Sequence, residues 1–112
     1  MIALPRTVTL REEHDGEDHR YLTAVRTWTG KVLVRGQDLG PSTAMVSADG
    51  EYEWVHVIPA RSVRGLRRAL DVPWHTDLMS DLATRWRGPA TYELERRLNE
   101  LHEVGDTYVV MR

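Results

Sequence analysis

The sequence predicts an α+β fold, an antiparallel sheet of four to five strands with helices packed on one face. In the first half of the chain, apolar and polar residues alternate with a period of two, which is typical of strands that bury one face. In the second half, apolar residues recur every three or four positions, which is typical of amphipathic helices. Turn-forming residues divide the two halves into the order ββββ-ααα-β. With 112 residues, the chain is expected to form a single domain spanning residues 1–112.

The first half contains four strand-like segments joined by turn-forming residues. These segments are residues 7–10, 21–29, 31–34 and 51–58. The polar residues 14–19 connect the first pair, and Thr29-Gly30 has the composition of a tight hairpin turn. Residues 36–41 have the composition of a further turn, and Asp49-Gly50 closes the loop that leads into the fourth strand. We therefore expect an antiparallel meander.

Three helical segments follow Pro59. The apolar positions expected to face the sheet are Val63, Leu66, Leu70, Leu78, Met79, Leu82, Ala83, Trp86, Leu94, Leu98 and Leu101. Pro73 ends the first helix, and Thr76 and Thr91 are the expected N-caps of the second and third. Residues 107–111 are rich in β-branched and aromatic residues and are expected to add a closing strand.

Composition limits the environment and the chemistry of the protein. Cysteine is absent, so disulfides, thiolate metal sites and cysteine nucleophiles are excluded. The apolar run at residues 1–4 ends at Pro5, which is short for a signal peptide, and no other run approaches the length of a membrane span. We therefore expect a cytoplasmic protein without a membrane partner. The formal net charge of -2 lacks the basic excess that is typical of nucleic-acid-binding domains.

Two short motifs resemble those of a known group of proteins. They are the GQDLGP segment at residues 36–41 and the EYEW segment at residues 51–54. With a helix that starts at Pro59-Ala60, this arrangement resembles a group of small actinobacterial proteins that have no assigned activity. The resemblance covers residues 20–70 and implies the same α+β order and a bacterial cytoplasmic setting, without implying a functional residue. Residues 107–112 depart from the usual ending of the group.

A group of arginines at the first helix is the strongest local charge feature. The group consists of Arg61, Arg64, Arg67 and Arg68. Arginine makes planar bidentate contacts to carboxylates and phosphates, so these side chains either bind a partner or pair with the protein's own acidic loops. Trp74 lies in a proline-containing loop and is expected to be an exposed contact residue or to pack between two helices. Asp38 is expected to cap loop amides or to present its carboxylate to a partner.

A pair of carboxylates on the fourth strand offers an enzymatic alternative. Glu51 and Glu53 are two residues apart, so their side chains project from one face about 6 to 7 Å apart, a separation suited to acid and base roles. The opposite face of the strand carries aromatic residues, which are better core candidates, so we expect the glutamates to be solvated. An enzyme built on these glutamates, Asp38 or His56 is therefore the least favoured function.

The segment at residues 12–19 concentrates potential metal ligands. His14, His19 and a neighbouring carboxylate have the atoms to bind a divalent cation, but their spacing fits no metal-binding motif. A hairpin connection explains the same composition. We therefore expect no metal, no cofactor and no catalytic residue.

The sequence favours a non-enzymatic protein-binding module, such as a bacterial accessory or immunity-type protein. The expected partner surface consists of Asp38, Arg61, Arg64, Arg67, Arg68 and Trp74. The alternative is a nucleic-acid-associated protein that uses the arginine-rich helix face, and the acidic total charge makes it less favoured. A homodimer is compatible with the predicted fold if one face of the sheet is left uncovered.

Overall fold

The computed structural model describes residues 5–45, 50–105 and 107–111, which form five strands and three α-helices. The strands are β1 (Arg6–Asp15), β2 (Asp18–Arg26), β3 (Val32–Leu39), β4 (Glu51–Ile58) and β5 (Tyr108–Met111). The helices are α1 (Val63–Ala69), α2 (Leu78–Arg85) and α3 (Ala90–Glu103), and 3-10 turns lie at Thr43–Met45 and Ala60–Ser62. These elements confirm the predicted α+β fold and the predicted element order ββββ-ααα-β.

The sheet is an antiparallel meander in which every strand lies beside its neighbours in the chain. β5 pairs with β4 at Trp54 to Val57, so the predicted closing strand is confirmed. The connection expected at residues 14–19 is shorter than predicted, because β1 continues to Asp15 and β2 begins at Asp18. Gly16 makes this tight turn with a φ of 63°, a conformation that favours glycine. Residues 1–4 and Asp49 of the predicted Asp49-Gly50 turn lie outside the described residues.

The three helices cover one face of the sheet and bury its apolar residues. The sheet contributes Leu10, Leu22, Ala24, Val32, Val34 and Ile58 to the core, and the helices contribute Val63, Leu66, Leu70, Leu78, Met79, Leu82, Trp86, Leu94 and Leu98. Burial of each leucine stabilises the fold by about 1.5–3 kcal/mol. The helical positions predicted to face the sheet therefore do so, except Ala83, which is half-buried and lies outside this core. Leu101 is partly buried at the margin of the core.

The opposite face of the sheet is left uncovered by the described helices. Val25, Leu33 and Val55 are half-buried there, while Tyr108 and Val110 are exposed. Paired residues share a face of the sheet, and Val25 pairs with Leu33 while Val55 pairs with Val110. The sequence neighbours Ala24 and Val34 face the core, so Val25 and Leu33 lie on the opposite face. None of the described helices has the length and apolar character that crossing a membrane requires.

The predicted turn at residues 36–41 is wrong over most of its length. β3 runs through this segment to Leu39, and the chain turns only at Gly40, whose φ is 119°. Gly36 lies inside the strand opposite Trp54, and a Cβ atom at Gly36 would lie 2.1 Å from Cε2 of that indole. The glycine is therefore needed for the close approach of the Trp54 ring, which lies over the backbone of β3.

Both predicted helix caps are also wrong in detail. Asp77, not Thr76, is the N-cap of α2, and its side chain accepts a hydrogen bond from the Ser80 amide at 2.9 Å. α3 begins at Ala90, so Thr91 lies inside the helix. Asp77 is held in place from outside the helix, because Arg6 of β1 donates to its carboxylate at 2.9 Å.

We expect Gly36→Ala to lower the free energy of unfolding by about 1–3 kcal/mol, because the added methyl group must displace the Trp54 ring. Urea unfolding followed by circular dichroism measures this loss. The control is the same substitution in a Trp54→Val background, where the ring is gone and the loss should disappear. An equal loss in both backgrounds would contradict the role assigned to the Trp54 contact.

Candidate functional site

The arginines of α1 and of the 3-10 turn before it form an exposed basic surface. Arg61, Arg64 and Arg68 are exposed, and no described carboxylate forms an ion pair with any of them. Elsewhere arginines pair within the chain, as in the 2.7 Å contact of Arg85 with Asp81. The described residues therefore contradict the alternative in which the protein's own acidic loops neutralise these three arginines. Their charges face solvent.

Arg67 has a different position and a structural contact. Its Nη2 atom donates to the carbonyl oxygens of Pro73 and Thr76, both at 2.7 Å. These two bonds tie the loop between α1 and α2 to the side of α1. Arg67 therefore supports the partner surface expected from the sequence by holding the adjacent loop in one conformation.

Trp74 lies at the tip of this loop and is 91% exposed. Among the described residues, its one ring contact is an edge-to-face contact with the neighbouring His75, with ring centroids 5.4 Å apart. The expectation that Trp74 is exposed is confirmed, and the alternative in which it packs between two helices is wrong. Burial of a tryptophan usually contributes more to folding than that of any other side chain, so this exposure leaves a large apolar area for another molecule.

Trp28 is a second exposed tryptophan, which the sequence analysis did not select. It is 62% exposed in the turn between β2 and β3. The same turn reaches the 3-10 turn before α1, because a Cβ atom at Gly30 would lie 3.5 Å from Cβ of Ala60. One signal in the sequence indicates that Trp28 is exposed. It lies in a tight turn, where a large side chain has few neighbours to pack against.

Glu51 and Glu53 lie on the uncovered face of the sheet. Gln37 Nε2 donates to Oε1 of each glutamate at 3.0 Å, so these oxygens are no more than about 6 Å apart. Glu53 also lines a hollow of about 400 Å³ with Arg35, Val55 and Val110. These two oxygens therefore lie at or below the short end of the expected separation, while an acid–base role for the pair stays a prediction.

Asp38 is separated from the α1 arginines and belongs to another part of the molecule. It lies on the helix-covered face of β3, between Arg20 on β2 and Tyr52 on β4. Burial raises the pKa of its carboxyl group, and the nearby guanidinium groups of Arg20 and Arg11 oppose this rise. Asp38 lines a cleft with residues of β4, β5 and α3, and no residue of α1 reaches this cleft.

Arg11 is a buried cation that the sequence analysis missed. It is 3% exposed and links β1 to α3, because its Nε donates to Thr91 Oγ1 at 2.9 Å and its Nη1 lies 3.3 Å from Glu95 Oε1. Its guanidinium also lies over the Tyr92 ring, 4.0 Å from the ring centroid. A break in the β1–β2 register between Thr9 and Arg11 turns Leu10 and Arg11 inward together.

His56 is buried on the same face of the sheet and is 3% exposed. Burial lowers the pKa of its imidazole, and the charge of His102 lowers it further. Its Nδ1 atom is buried without a hydrogen-bond partner among the described residues. The ring is therefore held in its neutral form in the folded protein near pH 7.

The two histidines of the first hairpin face each other across β1 and β2. The Nδ1 atoms of His14 and His19 are in contact, and Glu12 lies 3.7 Å from His14 Nε2. Within the described residues, no three histidine, aspartate or glutamate side chains are grouped so that they could hold a metal ion.

Comparison with known proteins gives no match to a family model, to a curated protein sequence or to a solved structure. A functional conclusion for this chain therefore depends on the chemistry of its own surfaces.

We expect Arg11→Met to lower the free energy of unfolding by about 2–4 kcal/mol, because the substitution leaves Glu95 half-buried without its cation. The control is Arg96→Met, which removes the exposed ion pairs of α3 with Glu93 and Glu100 and should cost less than about 1 kcal/mol. Urea unfolding of both variants measures the two losses. Equal losses would show that the buried Arg11 stabilises the fold no more than an exposed arginine does.

We expect the free energy of unfolding to fall as the pH is lowered from 7 to 5, with His56 as one cause. The lowered pKa of His56 means that the unfolded chain takes up a proton near pH 6.5 while the folded protein does not, so acid favours unfolding. In His56→Leu this contribution is absent, and the variant should lose less stability than the original protein over the same range. Urea unfolding at a series of pH values tests this, and parallel curves would contradict it.

Proposed function

We propose that this protein is a non-enzymatic binding module that docks on an acidic surface of a partner protein. The docking surface consists of Trp74, Arg61, Arg64 and Arg68. The observation that carries the proposal is the 91% exposure of Trp74 on a loop that Arg67 ties to α1. A bacterial accessory or immunity-type role, in which the module occupies a partner's surface, is the specific form that we propose.

The composition of the docking surface supports a protein partner. Tryptophan and arginine are the side chains most enriched among residues that dominate the energy of protein–protein binding. Arg64 lies three residues before Arg67 on α1, which places it on the side of the helix next to the Trp74 loop. A partner that offers a pocket for an indole and carboxylates around it would complement this surface in shape and charge.

The rigidity of the loop supports the proposal independently of its composition. The two carbonyl bonds of Arg67 and the fixed φ of Pro73 hold the loop before a partner arrives. A preformed loop avoids the loss of conformational entropy that a flexible loop suffers on binding. An exposed tryptophan held in this way is suited to act as an anchor.

A photo-crosslinking experiment can identify the partner and the surface together. A benzophenone amino acid is placed at His75, beside Trp74, and in a control protein at the exposed Arg87, in the turn before α3. Each protein is irradiated in nuclease-treated and untreated lysate of the source cells. The proposal expects one acidic protein to be captured from position 75 and not from position 87, with and without nuclease.

We expect Trp74→Ala to weaken binding to that purified partner by at least about 2 kcal/mol, or thirtyfold, because truncation removes the anchor. Arg64→Glu should weaken binding and reduce its dependence on salt, while Arg87→Glu should change it by less than threefold. Calorimetric titration measures the affinities. Trp74→Ala should leave the free energy of unfolding unchanged within about 0.5 kcal/mol, because the side chain is exposed.

Two outcomes would count against the proposal. Capture that disappears with nuclease would favour the nucleic-acid-associated alternative, in which the same arginines contact phosphates. A captured protein that binds Trp74→Ala and Arg64→Glu as tightly as the original would place the interface elsewhere on the molecule.

A further inference from the structure

A cleft between the sheet and α3 lies apart from the docking surface. Its volume is about 250 Å³, and its lining includes Asp38, Tyr52, Trp54, His56, Glu95 and Asn99. The strand residues come from β3, β4 and β5, and Glu95 and Asn99 come from α3. The cleft is thus formed only when α3 packs on the sheet.

Three polar atoms of the cleft residues are buried without a hydrogen-bond partner among the described residues. They are Oδ1 of Asp38, Oε1 of Glu95 and Nδ1 of His56, whose side chain is 3% exposed. Buried polar groups in folded proteins are nearly always satisfied, so atoms of this kind indicate a missing donor or acceptor from outside the chain. Because all three residues line one cleft, a single bound molecule can approach them.

The charges around the cleft favour a cation. Three carboxylates, those of Glu13, Asp38 and Glu95, lie in one network with the two guanidinium groups of Arg11 and Arg20. One negative charge is therefore left without a compensating positive charge in this network. Burial also raises the pKa of both Asp38 and Glu95, because it removes water from around their carboxylates. A bound cation would stabilise the charged carboxylates in place of that water.

The aromatic lining and the spread of the polar groups favour an organic molecule. No group of three histidine, aspartate or glutamate side chains among the described residues is placed to hold a metal ion, so the positive observations at the cleft are its aromatic rings and its separated polar groups. Tyr52 and Trp54 pack with ring centroids 5.5 Å apart, and the exposed faces of such rings attract both apolar groups and ammonium ions. Fixed polar groups in a partly apolar hollow are typical of small-molecule sites.

We propose that this cleft binds a small organic cation, a primary amine that carries an apolar or aromatic group. The ammonium group pairs with Asp38 at the acidic side of the cleft, near Glu95. The apolar group lies against Trp54 and Tyr52, and His56 and Asn99 offer hydrogen bonds to polar atoms of the ligand. This proposal is independent of the docking surface and holds or fails without it.

Phenethylamine is a suitable probe, with 2-phenylethanol as its neutral analogue and 3-phenylpropionate as an anionic one. Titration of the 15N-labelled protein, followed by NMR, reports binding through the indole N–H signals of the four tryptophans. The signal of Trp54 is assigned with Trp54→Phe. We expect saturable binding with a Kd of about 1 mM or tighter, with the shifts largest at Trp54 and absent at Trp74. The alcohol and the carboxylate should bind at least about tenfold more weakly.

Two matched variants test the role of the charge. Asp38→Asn should raise the Kd of phenethylamine at least about tenfold, because it removes the ion pair while keeping the shape of the side chain. Glu51→Gln removes the same charge on the opposite face of the sheet and should change the Kd less than about twofold. If Asp38→Asn does not fold, the comparison of phenethylamine with 2-phenylethanol on the original protein carries the test of charge, because it removes the charge from the ligand instead.

Three results would overturn the proposal. The first is no saturable binding of phenethylamine up to about 10 mM. The second is equal affinity for the amine and the alcohol, which would show that the site does not recognise charge. The third is an equal effect of Glu51→Gln and Asp38→Asn, which would mean that the amine responds only to the net charge of the protein.

Discussion

The burial of the Arg11 guanidinium is the interaction on which the arrangement of α3 over the sheet depends. β1 is an edge strand with one neighbour, β2, and Arg11 connects it to Thr91 and Glu95 of α3. Since a buried cation must keep its partners, α3 cannot slide along the sheet without leaving that charge unpaired. Arg11 on the edge strand β1 thus helps to hold α3, whose residues Glu95 and Asn99 line the cleft across from β4.

The fold could be predicted from the sequence because its elements follow from local patterns. Alternation in the strands and the spacing of residues such as Leu66 and Leu94 give both the type and the buried face of each element. The errors concern long-range contacts. Gly36 has the composition of a turn, but the indole of Trp54 requires a glycine inside the strand. Arg6 helps to select Asp77 as a cap from 71 residues away.

The two candidate sites also differ in how far they could be predicted, because local patterns are visible in a sequence and long-range contacts are not. The docking surface lies in one stretch of chain, so Trp74 and the arginines of α1 were recognisable from their neighbours. The cleft combines β3, β4, β5 and α3, and its charge balance depends on Arg11, which faces inward because of the register break in β1. The sequence places Asp38 in a turn, whereas it lies in β3. The sequence points to His56 only as part of an enzyme, the least favoured function.

Both edges of the sheet are built in ways that discourage backbone pairing with other chains. β1 carries a register break and charged residues such as Arg6 and Glu12, and β5 has four residues. Irregular, charged or very short edge strands are poor templates for strand addition, the step that starts most sheet-based aggregation. The protein can therefore expose a tryptophan and an uncovered sheet face while its hydrogen-bonding edges stay resistant to polymerisation, so association is left to side chains, which can select a partner.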